Sequence, residues 1–233
     1  MRKFYYNIKK STKETKISIM QKLNNQGLKR LSISDFQQAA KQPISLVLDN
    51  IRSMHNIGAA FRIADAFLLE KIYLCGITAC PPHREIHKTA LGAENSVVWE
   101  YIDDTSSLVL KLKEQGYVVA ACEQTTESIA LASYNPVSLH NLALIFGNEI
   151  LGVQDNVLAV CDLALEIPQY GTKHSLNVSV SMGIVVWEIV KNMQSRYASL
   201  NPHITLCEGD FYTALQWSVH AIWLSTIDVL HCV

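Results

Sequence analysis

The 233-residue chain has six cysteines (Cys75, Cys80, Cys122, Cys161, Cys207, Cys232) but no CxxC pair and no Cys/His metal spacing, which argues against a zinc centre or a redox motif. Cys75, Cys122 and Cys161 end apolar runs, where a free cysteine behaves as a small hydrophobe, and reduced thiols fit a cytoplasmic protein. No apolar h-region stands at the N-terminus, so the first residues do not read as a signal peptide; Met20 is an alternative start that would remove much of this segment. No GxGxxG follows the first strand-like run, which argues against a Rossmann dinucleotide enzyme. Internal repeats and low-complexity segments are absent as well.

Charge is nearly balanced, at −1, but it is unevenly placed. Residues 1–30 carry nine Lys and Arg against Glu14 alone, a net +8 that leaves −9 on the remainder. Such a segment is either a basic arm that attracts phosphate by counterion release or a solvated tail. With 49% hydrophobic residues the rest can bury a core, which suggests one main domain with appendages.

Strand-like and helix-like periods alternate through the centre. Strands are expected at 44–48, 71–75, 96–101, 117–122, 142–146 and 163–167. Helices are expected over 56–69, over 107–115 with Gly116 as its C′ cap, and from 177 to about 191. Nearly continuous apolar strands separated by helices indicate an α/β fold: a mostly parallel sheet with helices on both faces.

Three segments beside these strands carry the chemistry. Asn56-Ile57-Gly58-Ala59-Ala60-Phe61-Arg62 opens a helix after the first strand, with Asn56 as a candidate cap and free amides pointing outward. Arg62 serves a site near the first turns or forms an ion pair with Asp65 or Asp49. Phe146-Gly147-Asn148-Glu149-Ile150-Leu151-Gly152 ends a buried strand; Gly147 permits close approach of a ligand, and Glu149 could bind a ribose hydroxyl or pair with Arg62. Ile167-Pro168-Gln169-Tyr170-Gly171 closes a strand and leads to Ser175-Leu176-Asn177-Val178-Ser179, where Ser175 or Asn177 caps a helix.

In this order the three segments resemble the motifs of the SpoU (TrmH) family of RNA methyltransferases, within the SPOUT knotted superfamily. The resemblance covers about residues 44–192, together with a short preceding segment at 31–43. It departs in minor ways at Val153, where a leucine is usual, and at Gln169, where an apolar residue is common. It implies a C-terminal trefoil knot, S-adenosylmethionine as cofactor, transfer of its methyl group to a ribose 2′-hydroxyl of tRNA or rRNA, and a homodimer through the knotted domain.

By the same resemblance Gly147, Asn148, Ile167, Leu176 and Asn177 line the cofactor pocket. Asn56, Arg62, Glu149, Ser175 and Asn177 form the catalytic neighbourhood. Arginine's high pKa makes it a poor base, so Arg62 reads as the cation that steadies a developing alkoxide or holds the adjacent phosphate. Arg84 and Lys88, four apart, face RNA phosphates together or form the solvated side of a helix.

No metal is required. His55, His83, His87 and His174 are scattered and read as surface residues. The organisation is a basic extension over 1–43, a methyltransferase domain over 44–195 and an apolar tail over 196–233. Gln216, His220, Asp228 and His231 argue against a membrane span in that tail, which reads as a helix packed on the domain or across a dimer. Two alternatives stand beside the ribose methyltransferase: a base-methylating SPOUT enzyme, and an RNA-binding relative without turnover.

Overall fold

A computed structural model describes residues 30–136 and 141–200, together with Lys22 and Leu28; side chains of the last helix are described through Ser195. The basic arm and the apolar tail therefore lie almost wholly outside the described residues. Contacts divide the chain at Leu31/Ser32, and the second unit carries everything that follows.

The near-continuous apolar runs form seven parallel strands in the order β3-β2-β1-β6-β4-β7-β5. They are β1 (Gln42–Asp49), β2 (Leu69–Cys75), β3 (Trp99–Ile102), β4 (Val118–Cys122), β5 (Ile129–Ala130), β6 (Leu142–Phe146) and β7 (Leu163–Glu166). The sheet is thus entirely parallel. β1 and β6 lie side by side at its centre, with Leu46 opposite Leu144 and Leu48 opposite Phe146. β5 escapes the sequence pattern because two residues carry no periodicity.

The helices are α1 (Ile33–Gln38), α2 (Met54–Ala66), α3 (Arg84–Ala90), α4 (Thr105–Glu114), α5 (Asp155–Leu158) and α6 (Val178–Leu200). Both faces of the sheet are covered, because strand residues alternate between them. On one face Val47, Tyr73, Val119, Ala121, Ala143 and Ile145 pack with Leu108, Val109 and Leu112 of α4 and Val157 of α5. α2 packs on β1 and β2 and on α6, so the alternate residues Leu46, Leu48, Ile72 and Leu74, all fully buried, serve the other layer.

Helix ends differ from expectation for local reasons. α2 starts two residues before Asn56 because Ser53, not Asn56, is its cap: the Ser53 hydroxyl accepts from the Asn56 amide at 3.4 Å. The helix stops at Ala66 rather than Leu69, where Leu68 turns left-handed (φ 51°) and Leu69 enters β2. Asp104 caps α4 by accepting from the Ser107 amide at 2.8 Å, so α4 begins at Thr105, and Gly116 just past it is left-handed (φ 84°) as expected of a C′ residue.

Gly58 is needed for packing rather than for an open helix start. A Cβ there would lie 2.6 Å from the Ile86 carbonyl oxygen and 2.8 Å from the Thr89 Cβ, so its absence lets α3 press against α2.

Candidate active site

The loops that follow β1, β6 and β7 leave the same edge of the sheet, as parallel strands require, and side chains join them. The Glu149 carboxylate, on the loop after β6, accepts from the Arg52 amide at 3.0 Å, the Ser53 amide at 2.9 Å and the Asn56 side-chain amide at 2.9 Å. Asn56 Oδ1 in turn accepts from Asn177 Nδ2 at 3.3 Å. Asn177 is the residue that caps α6: its Oδ1 accepts from the Ser179 amide at 2.9 Å and the Ser179 hydroxyl at 2.5 Å. Three segments spread over more than 120 residues thus meet in one chain of hydrogen bonds, Glu149 to Asn56 to Asn177.

That arrangement fixes the state of Glu149. Burial pushes its carboxyl upward, but the Arg52 and Ser53 amides and the Asn56 side chain outweigh it and hold the group below its ordinary 4.5. It is ionised at neutral pH and fully engaged as an acceptor, so it forms no pair with Arg62.

The loop between Gly147 and Val153 is a closed turn. Asn148 and Gly152 exchange backbone hydrogen bonds at 2.9 Å each, and Asn148 Oδ1 accepts from the Ile150 and Leu151 amides at 3.0 and 3.2 Å. The other end of the Asn148 amide donates to the Asn50 carbonyl at 2.8 Å, tying the loop to the end of β1. The close approach that Gly147 permits is made by the chain itself: a Cβ would sit 2.1 Å from the Gly152 carbonyl carbon and the Val153 nitrogen.

The sequence offers Asp49, at the end of β1, as a partner for Arg62. Asp49 is instead fully buried. Its carboxylate accepts from the Thr105 hydroxyl at 2.6 Å, the Asn50 side chain at 2.9 Å and the Gln154 amide at 3.3 Å. An acid ending the unbroken apolar run Leu46–Leu48 is the sequence signal for such an anchor.

Ile167, Ser175 and Leu176 line a cavity of about 450 Å³ built from the 167–176 segment, which also includes Pro168, Gln169 and Tyr170. Its size falls within the range of small-molecule sites. Ser175 is exposed and does not cap α6, a role Asn177 takes. Arg62 lies on the exposed side of α2; among the described residues no carboxylate pairs with it, and Asp65 accepts instead from the Ser96 hydroxyl at 2.7 Å.

Arg84 and Lys88 do share a surface of α3, but Glu85 stands between them, 4.0 Å from Arg84 and 3.9 Å from Lys88. The histidines stay apart. His55 faces Glu85, His83 Nδ1 accepts from the Glu85 amide, and His87 meets Glu94. No group of three or more His, Cys, Asp or Glu suited to a metal occurs among the described residues, and none of their helices is long and apolar enough to cross a membrane. Cys75, Cys80, Cys122 and Cys161 are free, and burial pushes the Cys75 thiol up to about 12.

An all-parallel α/β sheet whose strand-end loops join into one polar site defines the class, and comparisons with known proteins agree with it. The family model described as the SpoU rRNA Methylase family matches residues 43–187, and the chain belongs to that family. A 23S rRNA (guanosine-2'-O-)-methyltransferase, RlmB, of Nitrosomonas europaea is 31% identical over 72% of the chain, and the chain spans 64% of that relative's length. The crystal structure of an A. aeolicus TrmH/SpoU tRNA modifying enzyme superposes with a TM-score of 0.63 at 23% identity, covering 82% of this chain and 96% of that one. An AdoMet-bound rRNA methyltransferase from Sinorhizobium meliloti superposes with a TM-score of 0.59 at 25% identity, over 68% of this chain and 60% of that one.

Proposed function

We propose that the protein is an S-adenosylmethionine-dependent RNA methyltransferase that methylates a ribose 2′-hydroxyl of tRNA or rRNA. The observation that carries this reading is the hydrogen-bonded union of Glu149, Asn56 and Asn177, which joins the three motif segments, one of them forming the cavity lined by Ile167, Ser175 and Leu176. Family membership and the relatives' substrates support it.

The cavity fits the cofactor in size, and its Ile167 and Leu176 side chains suit an apolar ring face. In this reading Gly147, Asn148, Ile167, Leu176 and Asn177 hold S-adenosylmethionine. When bound, it supplies a methyl group already activated by a sulfonium, so the protein's task is alignment of the acceptor oxygen and removal of its proton. Arg62, without a carboxylate partner among the described residues, steadies the developing alkoxide or holds the neighbouring phosphate. Asn56 and Asn177 are held in place by Glu149 and the start of α6, and Ser175 stands at the cavity rim.

Arg84 and Lys88 are the further RNA contacts, with Glu85 giving way to phosphate; the basic residues of 1–30 add to the same attraction. The reading keeps the domain at 44–195, with a trefoil knot formed around the two cofactor loops, in a cytoplasmic protein. It includes a homodimer, supported by a surface on α6 where Val180, Ile184 and Trp187 are exposed beside an apolar cavity of about 670 Å³.

Calorimetric titration with S-adenosylmethionine, followed by methyl transfer to RNA and mapping of the modified riboses, tests the proposal. Micromolar binding, about −8 kcal/mol, with label on ribose supports it. Label on a base moves the acceptor, and binding of RNA without transfer leaves an RNA-binding relative.

A further inference from the structure

The turn after β4 lies between the two loops assigned to the cofactor and touches both. The Glu123 amide donates to the Leu165 carbonyl at 3.0 Å, continuing the β4–β7 pairing one residue beyond the strand. That bond fixes where its side chain starts. The carboxylate then accepts from the Val153 amide at 3.1 Å and from the Gln124 amide at 2.9 Å. Gly152 leaves room for it: a Cβ there would lie 2.3 Å from a Glu123 carboxylate oxygen, and the glycine sits at φ 70°. Gln124 reaches the opposite way, its side-chain amide donating to the His174 carbonyl at 3.0 Å.

Two consecutive residues thus grip one loop each. Glu123 holds the closing end of the 147–153 turn, and Gln124 holds the segment that leads into Ser175 and Leu176. The 147–153 turn closes on itself through Asn148 and Gly152, and Glu123 holds it from the β4 side. Among the hydrogen bonds of the described residues, Gln124 provides the one that ties the exposed 171–175 segment to another part of the chain.

We propose that Glu123 and Gln124 are positioning residues that set the spacing of the two cofactor loops. The proposal rests on the methyltransferase reading, since it assigns these loops to S-adenosylmethionine. Neither residue belongs to the three motif segments, and neither needs to touch the cofactor. Their effect falls on its affinity, because a pocket whose walls are not pre-set loses binding energy to ordering them.

The test uses the full chain. Affinity for S-adenosylmethionine is measured by calorimetry for the wild type, Glu123→Ala, Glu123→Gln and Gln124→Ala, with unfractionated tRNA titrated in parallel. Each alanine variant is expected to weaken cofactor binding about tenfold, the scale of one charge-assisted or well-placed hydrogen bond, and to leave tRNA affinity near wild type. Glu123→Gln keeps an acceptor for the Val153 amide and is expected to restore most of the loss. Unchanged cofactor affinity in both folded alanine variants overturns the proposal, as does equal loss of cofactor and tRNA binding. Hydrogen exchange at the Val153 amide, protected in the wild type and exposed in Glu123→Ala, reads the contact without any ligand. Protection that survives in Glu123→Ala also overturns the proposal. A wild type that binds no S-adenosylmethionine while the exchange result holds sinks the functional reading instead, and with it the assigned role of these loops.

Discussion

Removing the Glu149 carboxylate should damage the site through its neighbours. Glu149→Ala deletes an acceptor for three donors, at 3.0, 2.9 and 2.9 Å. The three losses differ in weight. The Arg52 amide belongs to an exposed residue and can turn to water, so its bond contributes little. Asn56 is only 7% exposed, and its side-chain amide would be left short of an acceptor. With the half-buried Ser53 amide, the summed cost is about 2–3 kcal/mol, since hydrogen bonds to a charged group are worth roughly 1.5–3 kcal/mol each before rehydration. For a domain of this size that is a fall in Tm on the order of 4–12 °C.

The pH dependence has a definite sign. The folded-state pKa of Glu149 lies below its ordinary 4.5, so its stabilisation is present above about 4.5 and disappears as pH falls through the lower folded value. The stability gap between wild type and Glu149→Ala should be flat from about pH 6 to pH 8 and close only in acid. Chemical denaturation across that range measures it. A gap that is absent at neutral pH, or that widens as pH falls, would refute the reasoning.

Three further perturbations separate the roles of other residues. Arg62→Ala should abolish methyl transfer to RNA while leaving S-adenosylmethionine affinity nearly intact, measured by transfer assay and calorimetry; loss of both together removes Arg62 from the reacting centre. Gly147→Ala brings a methyl group to 2.1 Å from backbone atoms of Gly152 and Val153, which cannot swing aside as a side chain would. It should cost about 2–3 kcal/mol or more in denaturant unfolding, and a neutral result would mean that the turn is looser than its hydrogen bonds imply. Trp187→Glu places a charge on the apolar α6 surface, where Trp187 is 59% exposed and meets Phe67 edge-on. It should convert a dimer to monomer in light scattering, and an unchanged mass rules that surface out as the interface.

Much of the fold was legible because a parallel sheet covered on both faces needs strands that are apolar throughout, and the runs at 44–48, 142–146 and 163–167 say so without alternation. The α6 cap was legible only as a choice between Ser175 and Asn177, each just before an amphipathic period, and the fold gives it to Asn177. Asn56 misled for the same reason: Ser53 three residues earlier competes for the cap, and only the tertiary fold frees the Asn56 side chain to bridge Glu149 and Asn177. Glu149 offered Arg62 as a partner in sequence; in the fold its carboxylate takes the Arg52 and Ser53 amides and the Asn56 side chain, and backbone donors of this kind are announced by no side-chain pattern. Gly147 reads in sequence as a place of close approach for a ligand and Gly58 as an opening of the helix start, but at both positions another part of the chain comes close. Glu123 and Gln124 lie after a strand with no motif around them, so nothing local marked them.

Open parallel sheets bind ligands where adjacent strands send their connections in opposite directions. Here that point lies between β1, whose chain runs on to β2 and β3, and β6, whose chain runs on to β7 beyond β4. The crevice at that point is stitched shut: Asn148 reaches the Asn50 carbonyl, Asn50 reaches the Gln154 side chain, and Glu149 takes the Arg52 and Ser53 amides. The cavity lies instead in the segment after β7. The side chains of Asn50, Asn148 and Glu149 therefore lock the β1/β6 crevice as a keystone, with Asp49 buried beneath them. In the proposed reading the β6 loop presents a pre-set surface, while the 167–176 segment carries the exposed residues that meet the cofactor. Tyr170 is 97% exposed there, and Leu176 is 39% exposed. If cofactor binding orders that segment, exchange protection on adding S-adenosylmethionine should rise across 168–176 and stay constant across 147–153; protection rising in the β6 loop alone would reverse the division of labour argued from these hydrogen bonds.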